Sequence, residues 1–246
     1  MANDSDPFRH HPELRGQITD PADSFFRNFD PAQFDEIARK HGMREDWRYP
    51  DDVRNRMFDA FLASLPQGDL WVFGYGSLIW DPGAHFTELR KAYAPGYSRR
   101  FILVDDGARG SPEQPAVMAA LDHGDGCEGV ALRLAADTLR EELEHIWRRE
   151  KIAPAYDATM IDIDTDQGPL CALTFTANHD SPDIDGSISF ENQVQALATA
   201  KGILGNNFEY VENLKRQFDV LGISDPHVDR LHEAARSRAL SLGLLD

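Results

Sequence analysis

Residues 71–80 read Trp71-Val72-Phe73-Gly74-Tyr75-Gly76-Ser77-Leu78-Ile79-Trp80, an apolar run that breaks into two glycines one residue apart. A buried strand has to end there. Aromatic and β-branched side chains at 71–73 fit a pleated, packed surface. Gly74 and Gly76 free the backbone for unusual φ values and let another group approach the main chain closely. Successive N–H groups in such a turn form an anion-binding concavity. A plain tight turn between two strands is the other reading that the glycines allow.

On either side of this break the chain follows different patterns. Residues 1–68 are polar and proline-punctuated. Asp30-Pro31 opens a helix by the N-cap and N1 preferences, with Phe34, Ile37 and Ala38 as a short apolar face before Gly42. Pro50-Asp51-Asp52 opens another, with Val53, Met57, Phe61 and Leu65 at helical spacing up to Pro66. Residues 1–20 show no periodicity and read as a poorly ordered arm. The expectation for 1–68 is an arm and helical extension packed on the core, without catalytic duty. Its acidic character would repel an anionic substrate.

From Trp71 the pattern turns to short strands between turn residues, with strands expected at 71–75, 90–95, 99–104, 116–122, 127–134, 158–163 and 169–176. One amphipathic helix runs from about Asp137 to Arg149, with Leu139, Leu143, Ile146 and Trp147 on one stripe and arginines and glutamates on the other face. Further helices are expected at 189–202, capped by Ser187 or Ser189, and at 207–221, ending at Gly222. Strands and helices without strict alternation predict an α+β fold with a small, closed or half-closed, barrel-like sheet. The domain reading is an extension over 1–68, a core domain over 69–225 and a C-terminal helical tail over 226–246.

Composition excludes several functions. Net charge is −17, and binding nucleic acid without sequence preference requires basic patches that displace counterions. An anionic ligand is therefore held only where local arginines reverse the field. No apolar run is long enough to cross a bilayer. The opening residues lack a basic start followed by an apolar stretch, so no secretory leader and a cytoplasmic location are expected. Cys127 and Cys171 make no disulfide framework, and the nine histidines and two cysteines fall at no metal-ligand spacing.

One charged residue is out of place by helix electrostatics. Glu150 closes Trp147-Arg148-Arg149-Glu150 at a helix C-terminus, where the macrodipole disfavours a carboxylate. In a pocket, desolvation would raise its pKa toward neutrality, as a general base requires. On a solvated face it would be one more charge in a run of Arg and Glu. Ser77 invites reading as a nucleophile, but Gly74-Tyr75-Gly76-Ser77 is not G-x-S-x-G, and no His/Asp arrangement accompanies it.

The string from Phe73 to Trp80 resembles the signature of the γ-glutamylcyclotransferase superfamily, in particular its ChaC branch, which degrades glutathione. The resemblance runs through about 71–225. Gly96-Tyr97-Ser98-Arg99-Arg100-Phe101 is similar to the family's arginine-bearing strand. Arg109-Gly110-Ser111-Pro112-Glu113 is similar to its RG[ST]P loop, although Ala108 stands where the usual pattern has a histidine. Gly205-Asn206-Asn207-Phe208-Glu209-Tyr210-Val211-Glu212-Asn213-Leu214 is similar to a segment opening its last core helix, with Asn207 as the expected cap and Tyr210 and Asn213 as possible hydrogen-bonding groups. Glu150 matches the family's acidic residue at its helix end, and Tyr156 matches downstream, although Ala153-Pro154-Ala155 replaces a glycine-rich step.

The resemblance implies that the α-amine of a γ-glutamyl unit attacks its own γ-carbonyl and releases 5-oxoproline. Nucleophile and electrophile are already tethered, and no metal, cofactor or covalent nucleophile is needed. Glu150 becomes the general base. Tyr75, Gly76, Ser77 and Leu78 become the substrate cradle, and Arg100, Arg109, Tyr156 and Tyr210 complete the binding set. Arg99 and Arg100 alternate across a strand, so only one faces a pocket, and the motif register favours Arg100. The implied partner is a small γ-glutamyl molecule, glutathione first, with no nucleic acid and no membrane; the sequence leaves oligomeric state open. Other γ-glutamyl amines or amino acids, an amide-cleaving lyase with another substrate, and a non-catalytic regulator that keeps the pocket are the alternatives.

Overall fold

The computed structural model describes residues 6–245. Seven strands make one sheet: β1 (Leu70–Gly74), β2 (Glu88–Ala94), β3 (Tyr97–Asp105), β4 (Ala116–His123), β5 (Cys127–Leu134), β6 (Tyr156–Thr165) and β7 (Leu170–Ala177). The spatial order β1-β5-β2-β6-β7 closes on itself because β7 also pairs with β1, in parallel, through Trp71–Ala172 and Val72–Leu173. Five strands thus form a small barrel. Toward its end β7 pairs instead with β4, at Thr176–Leu121, and β4 carries β3 as an antiparallel wing. The α+β, barrel-like expectation holds, and all seven strands fall where the sequence pattern puts them.

Closure leaves β1 covered on both faces, which explains its unbroken apolar character. Val72 and Phe73 alternate in direction, yet both are fully buried. Val72 packs in a cluster with Leu143, Ile146 and Trp147 of α4 (Leu139–Glu150), and with Phe58 of α3 (Asp51–Ser64). Phe73 packs in a second cluster, shared with helices α6 (Asn207–Leu221) and α7 (Pro226–Ser241) through Phe208, Val211, Leu214 and Leu231. Leu197 of α5 (Phe190–Thr199) joins them.

Local chemistry places the helix ends. Ser189 accepts a hydrogen bond from the Asn192 N–H and starts α5. Gly222 ends α6 in the left-handed conformation at φ 61°, which costs glycine nothing. The cap of α6 is Asn206, whose side chain accepts from Glu209 N–H at 2.8 Å, not Asn207 as the motif suggests. Asn207 is fully buried, and its amide bonds both Val117 N–H (2.9 Å) and Val117 C=O (3.0 Å), stitching α6 to β4.

The N-terminal part differs from its expectation. Residues 1–5 lie outside the described residues, but 6–20 pack against the core. Leu14 is fully buried, a contribution of about 2 kcal/mol for a side chain of that size. Phe8 meets Phe86 edge-on at 5.5 Å. Beyond it come a short helix α1 (Phe25–Asn28) and α2 (Pro31–Lys40), the latter capped by Asp30. Arg27 of α1 pairs with the buried Glu142 of α4 at 2.7 Å, and Tyr49 N–H bonds Ile152 C=O at 2.8 Å. The extension is thereby fastened near both ends of α4.

Candidate active site

Where β1 ends, the chain turns through Tyr75 and Gly76 into a single 3-10 turn at Ser77–Ile79. The Tyr75 hydroxyl donates to the Phe175 carbonyl on β7 at 2.8 Å. The Tyr75 carbonyl accepts from Arg99 Nε at 2.6 Å. Ser77 and Leu78 supply the first N–H groups of the turn, which have no intrahelical acceptor. Neither Gly74 nor Gly76 takes a positive φ. Gly76 serves the second role expected of it, close approach: a Cβ there would lie 2.9 Å from the Tyr210 hydroxyl.

The end of α4 is brought to this loop by its buried stripe. Trp147 is held between Phe61, stacked at 5.1 Å, and Phe175, edge-on at 6.3 Å. The next turn of the helix then aims Arg149 and Glu150 at the loop. Arg149 donates to the Asp81 carbonyl at 2.6 Å and to the Ser77 hydroxyl. Its guanidinium also lies 3.8 Å over the Phe26 ring. Glu150 is 12% exposed, and its one charged partner among the described residues is Arg149 Nε at 3.0 Å. Burial raises the Glu150 pKa above the ordinary carboxylate value, and the neighbouring Arg149 offsets this only in part.

Three tyrosines surround the carboxylate. Tyr75, Tyr156 and Tyr210 are all buried. Tyr156 donates to the Ala119 carbonyl at 3.0 Å, and the Tyr210 hydroxyl accepts from Ala119 N–H at 3.3 Å. Burial holds Tyr75 and Tyr156 well above the usual phenol range, and the charge of Glu150 adds to it. Burial pushes Tyr210 up to about 12. All three stay protonated at neutral pH; Tyr75 and Tyr156 already donate to main-chain carbonyls, which leaves the Tyr210 hydroxyl with its hydrogen free to donate.

These groups line one cleft with a cavity volume of about 290 Å³. Of the residues singled out in the sequence, Tyr75, Gly76, Ser77, Leu78, Arg109, Glu150, Tyr156 and Tyr210 all line it. Arg109 stands near the opening, bonded to the Asn206 carbonyl (3.2 Å) and Glu209 (3.1 Å). Its loop is tied down by the Asp105 carboxylate, which accepts the N–H groups of Ala108, Arg109 and Gly110.

Arg100 is not brought to the cleft. Its side chain is 43% exposed and pairs with Asp122 at 2.8 Å. The strand alternation was right that one arginine turns inward, but the inward one is Arg99, whose side chain is 1% exposed. Arg99 grips the cradle from behind, bonding the Tyr75 and Glu128 carbonyls and Asp225, the cap of α7. Asn213 also lies outside the lining and accepts instead from Arg216.

Three contributors were missed. Arg149 was overlooked as an ordinary helix-end cation. Asp105 carried a signal in Asp105-Asp106-Gly107, a turn-forming acid ahead of the Arg109 loop. The third is the extension itself, expected to pack on the core without catalytic duty. It lines the cleft with Arg44 and with the aromatic rings of Phe25, Phe29, Phe34 and Trp47. Four phenylalanines within ten residues of a polar segment were the available hint.

The chain matches the family model described as ChaC-like protein over residues 70–238. It is 36% identical to a protein of Escherichia coli strain K12 named glutathione-specific gamma-glutamylcyclotransferase, over 77% of this chain and 83% of that one. It is 32% identical to glutathione-specific gamma-glutamylcyclotransferase 1 of Homo sapiens, over 78% and 90% of the two chains. Among solved structures, a yeast gamma-glutamylcyclotransferase described as specific to glutathione superposes with a TM-score of 0.65 at 20% identity, covering 69% of this chain and 96% of that one. That likeness bears on the fold.

Proposed function

The chain belongs to the ChaC-like family, and from that premise we propose that it is a γ-glutamylcyclotransferase that converts glutathione to 5-oxoproline and cysteinylglycine. The observation that carries the reading is a buried carboxylate with a raised pKa, Glu150, facing the same cleft as the Tyr75–Leu78 loop.

In this mechanism the γ-glutamyl head enters the deep end of the cleft, where Glu150 accepts a proton from the α-ammonium. The freed amine attacks the γ-carbonyl carbon four bonds along its own chain and closes a five-membered ring. Because the substrate supplies both partners, the protein's share is to hold the bent conformer. A carboxyl with a raised pKa takes the proton more readily than an ordinary one and returns it more readily to the leaving amine than a stronger base would. N–H groups of the loop and the Tyr210 hydroxyl supply donors for the developing oxyanion.

Arg149 offers a charge for the substrate's α-carboxylate, which would otherwise meet a strongly acidic protein. The cysteinylglycine half points to the opening, where Arg44 and Arg109 stand. Ser77, bonded to Arg149, acts as part of the wall and not as a nucleophile.

Incubation with glutathione tests the reading by separation of 5-oxoproline and cysteinylglycine. The expected result is equimolar release of both, lost in Glu150→Gln. Glutathione binding without release, measured by calorimetry, would turn the protein into a ligand-binding regulator and overturn the reading.

A further inference from the structure

We propose that residues 25–47 build a leaving-group subsite, an aromatic-walled annex of the cleft that accepts an apolar group carried on the sulfur of glutathione. The inference rests on the cyclotransferase reading above and extends its substrate class to glutathione thioethers.

If the γ-glutamyl head sits against Glu150, the cysteinyl half of the substrate extends toward the opening. The wall it meets there is aromatic. Phe29 packs against Phe25 (5.4 Å) and Phe34 (5.3 Å), and Phe34 reaches Trp47 at 6.3 Å between ring centres. This cluster is not sealed from water, since Phe25 is 44% exposed. Unmodified glutathione brings two carboxylates, an ammonium and a small thiol, and so covers little apolar surface. A ring on the sulfur would cover it, through edge or face contact with the wall.

The wall is also held in place. Trp47 Nε1 bonds Asp35 at 3.1 Å, and Arg48 clamps the same carboxylate at 2.7 Å. Arg44 bonds Asp183 at 2.8 Å. Met43 sits on Gly107, where a Cβ would come within 2.2 Å of the methionine Cε. Beside that contact Ala108 also lines the cleft with its single methyl.

Substitution at sulfur leaves the reacting atoms unchanged, so the reaction balances as for glutathione. The α-nitrogen forms a bond to the γ-carbonyl carbon (Cδ), and the amide C–N bond at that same carbon breaks. The proton lost by the α-ammonium ends on the cysteinyl amine, giving 5-oxoproline and the S-substituted cysteinylglycine without a co-reactant.

The test compares glutathione with S-benzylglutathione, scoring 5-oxoproline release by the native protein and by Trp47→Ala and Phe34→Ala. The native protein should cleave S-benzylglutathione with kcat/KM at least equal to that for glutathione. Each variant should lose about tenfold on S-benzylglutathione and less than about threefold on glutathione, the scale on which a hydrophobic pocket discriminates. Turnover of glutathione reports in the same assay that each variant is folded. Release from glutathione with little or none from S-benzylglutathione, or equal losses on both compounds in both variants, overturns the subsite alone. No release from either compound overturns the cyclotransferase reading and the subsite with it.

Discussion

Glu150→Gln separates catalysis from stability in one substitution. Glutamine keeps the volume of the side chain, and Arg149 keeps its bonds to the Asp81 carbonyl and the Ser77 hydroxyl, so the loop is not released. What disappears is the basic oxygen. Removing a positioned general base costs about 10²–10⁴ in rate, so kcat for 5-oxoproline release should fall by that factor while KM for glutathione changes much less. Stability should move the other way. Burial raises the folded-state pKa of Glu150 above the ordinary carboxylate value, so its contribution to stability is fully present below the unfolded value and lost as pH rises through the folded one. Each pH unit of elevation corresponds to about 1.4 kcal/mol. At pH 8 the variant should be the more stable protein, melting roughly 2–4 °C higher for each kcal/mol gained in a chain of this size. Near pH 4 the two melting curves should converge. The assays are steady-state kinetics and thermal melts at both pH values. A variant with native kcat, or one less stable than the native protein at pH 8 alone, would refute the assignment of a desolvated carboxylate as base.

Gly76→Ala places a methyl 2.9 Å from the Tyr210 hydroxyl; overpacking there should cost about 1–3 kcal/mol and lower activity, and Tyr210→Phe in the same chain should recover part of the melting temperature. Arg99→Met strands the Tyr75 and Glu128 carbonyls and unpairs Asp225, so its urea midpoint should drop by the equivalent of about 3–5 kcal/mol. Arg100→Ala breaks a half-exposed pair, should cost about 1 kcal/mol or less, and should leave glutathione turnover within about twofold of native, since the residue does not line the cleft. As pH rises, kcat/KM should climb through a pKa above the ordinary carboxylate range, as the direction of the Glu150 shift requires, and the climb should be absent in Glu150→Gln.

The sequence by itself determined the strands and the main helices, because these follow from local alternation, caps and breakers. It also marked Tyr75–Leu78 and Glu150, since a glycine pair after a buried strand and a carboxylate at a helix C-terminus both conflict with local preference. The direction in which Arg99 and Arg100 point was not legible. Strand alternation says that one turns inward, and only the pairing of β3 with β4 and the position of Tyr75 decide which. Asn206 and Asn207 are both good caps by composition; the nearness of Val117 took Asn207 into the core. The place of residues 25–47 was furthest from view, for the same reason. Apart from Phe34 on the apolar face of α2, their aromatic rings carry no periodic signal, and their partners lie far along the chain: Arg27 meets Glu142, Arg44 meets Asp183, and Met43 meets Gly107. Local chemistry wrote the elements and flagged the glycine loop and the helix-end carboxylate. Long-range packing decided which side chains share the cleft, because burial and close approach depend on neighbours that no window of sequence contains.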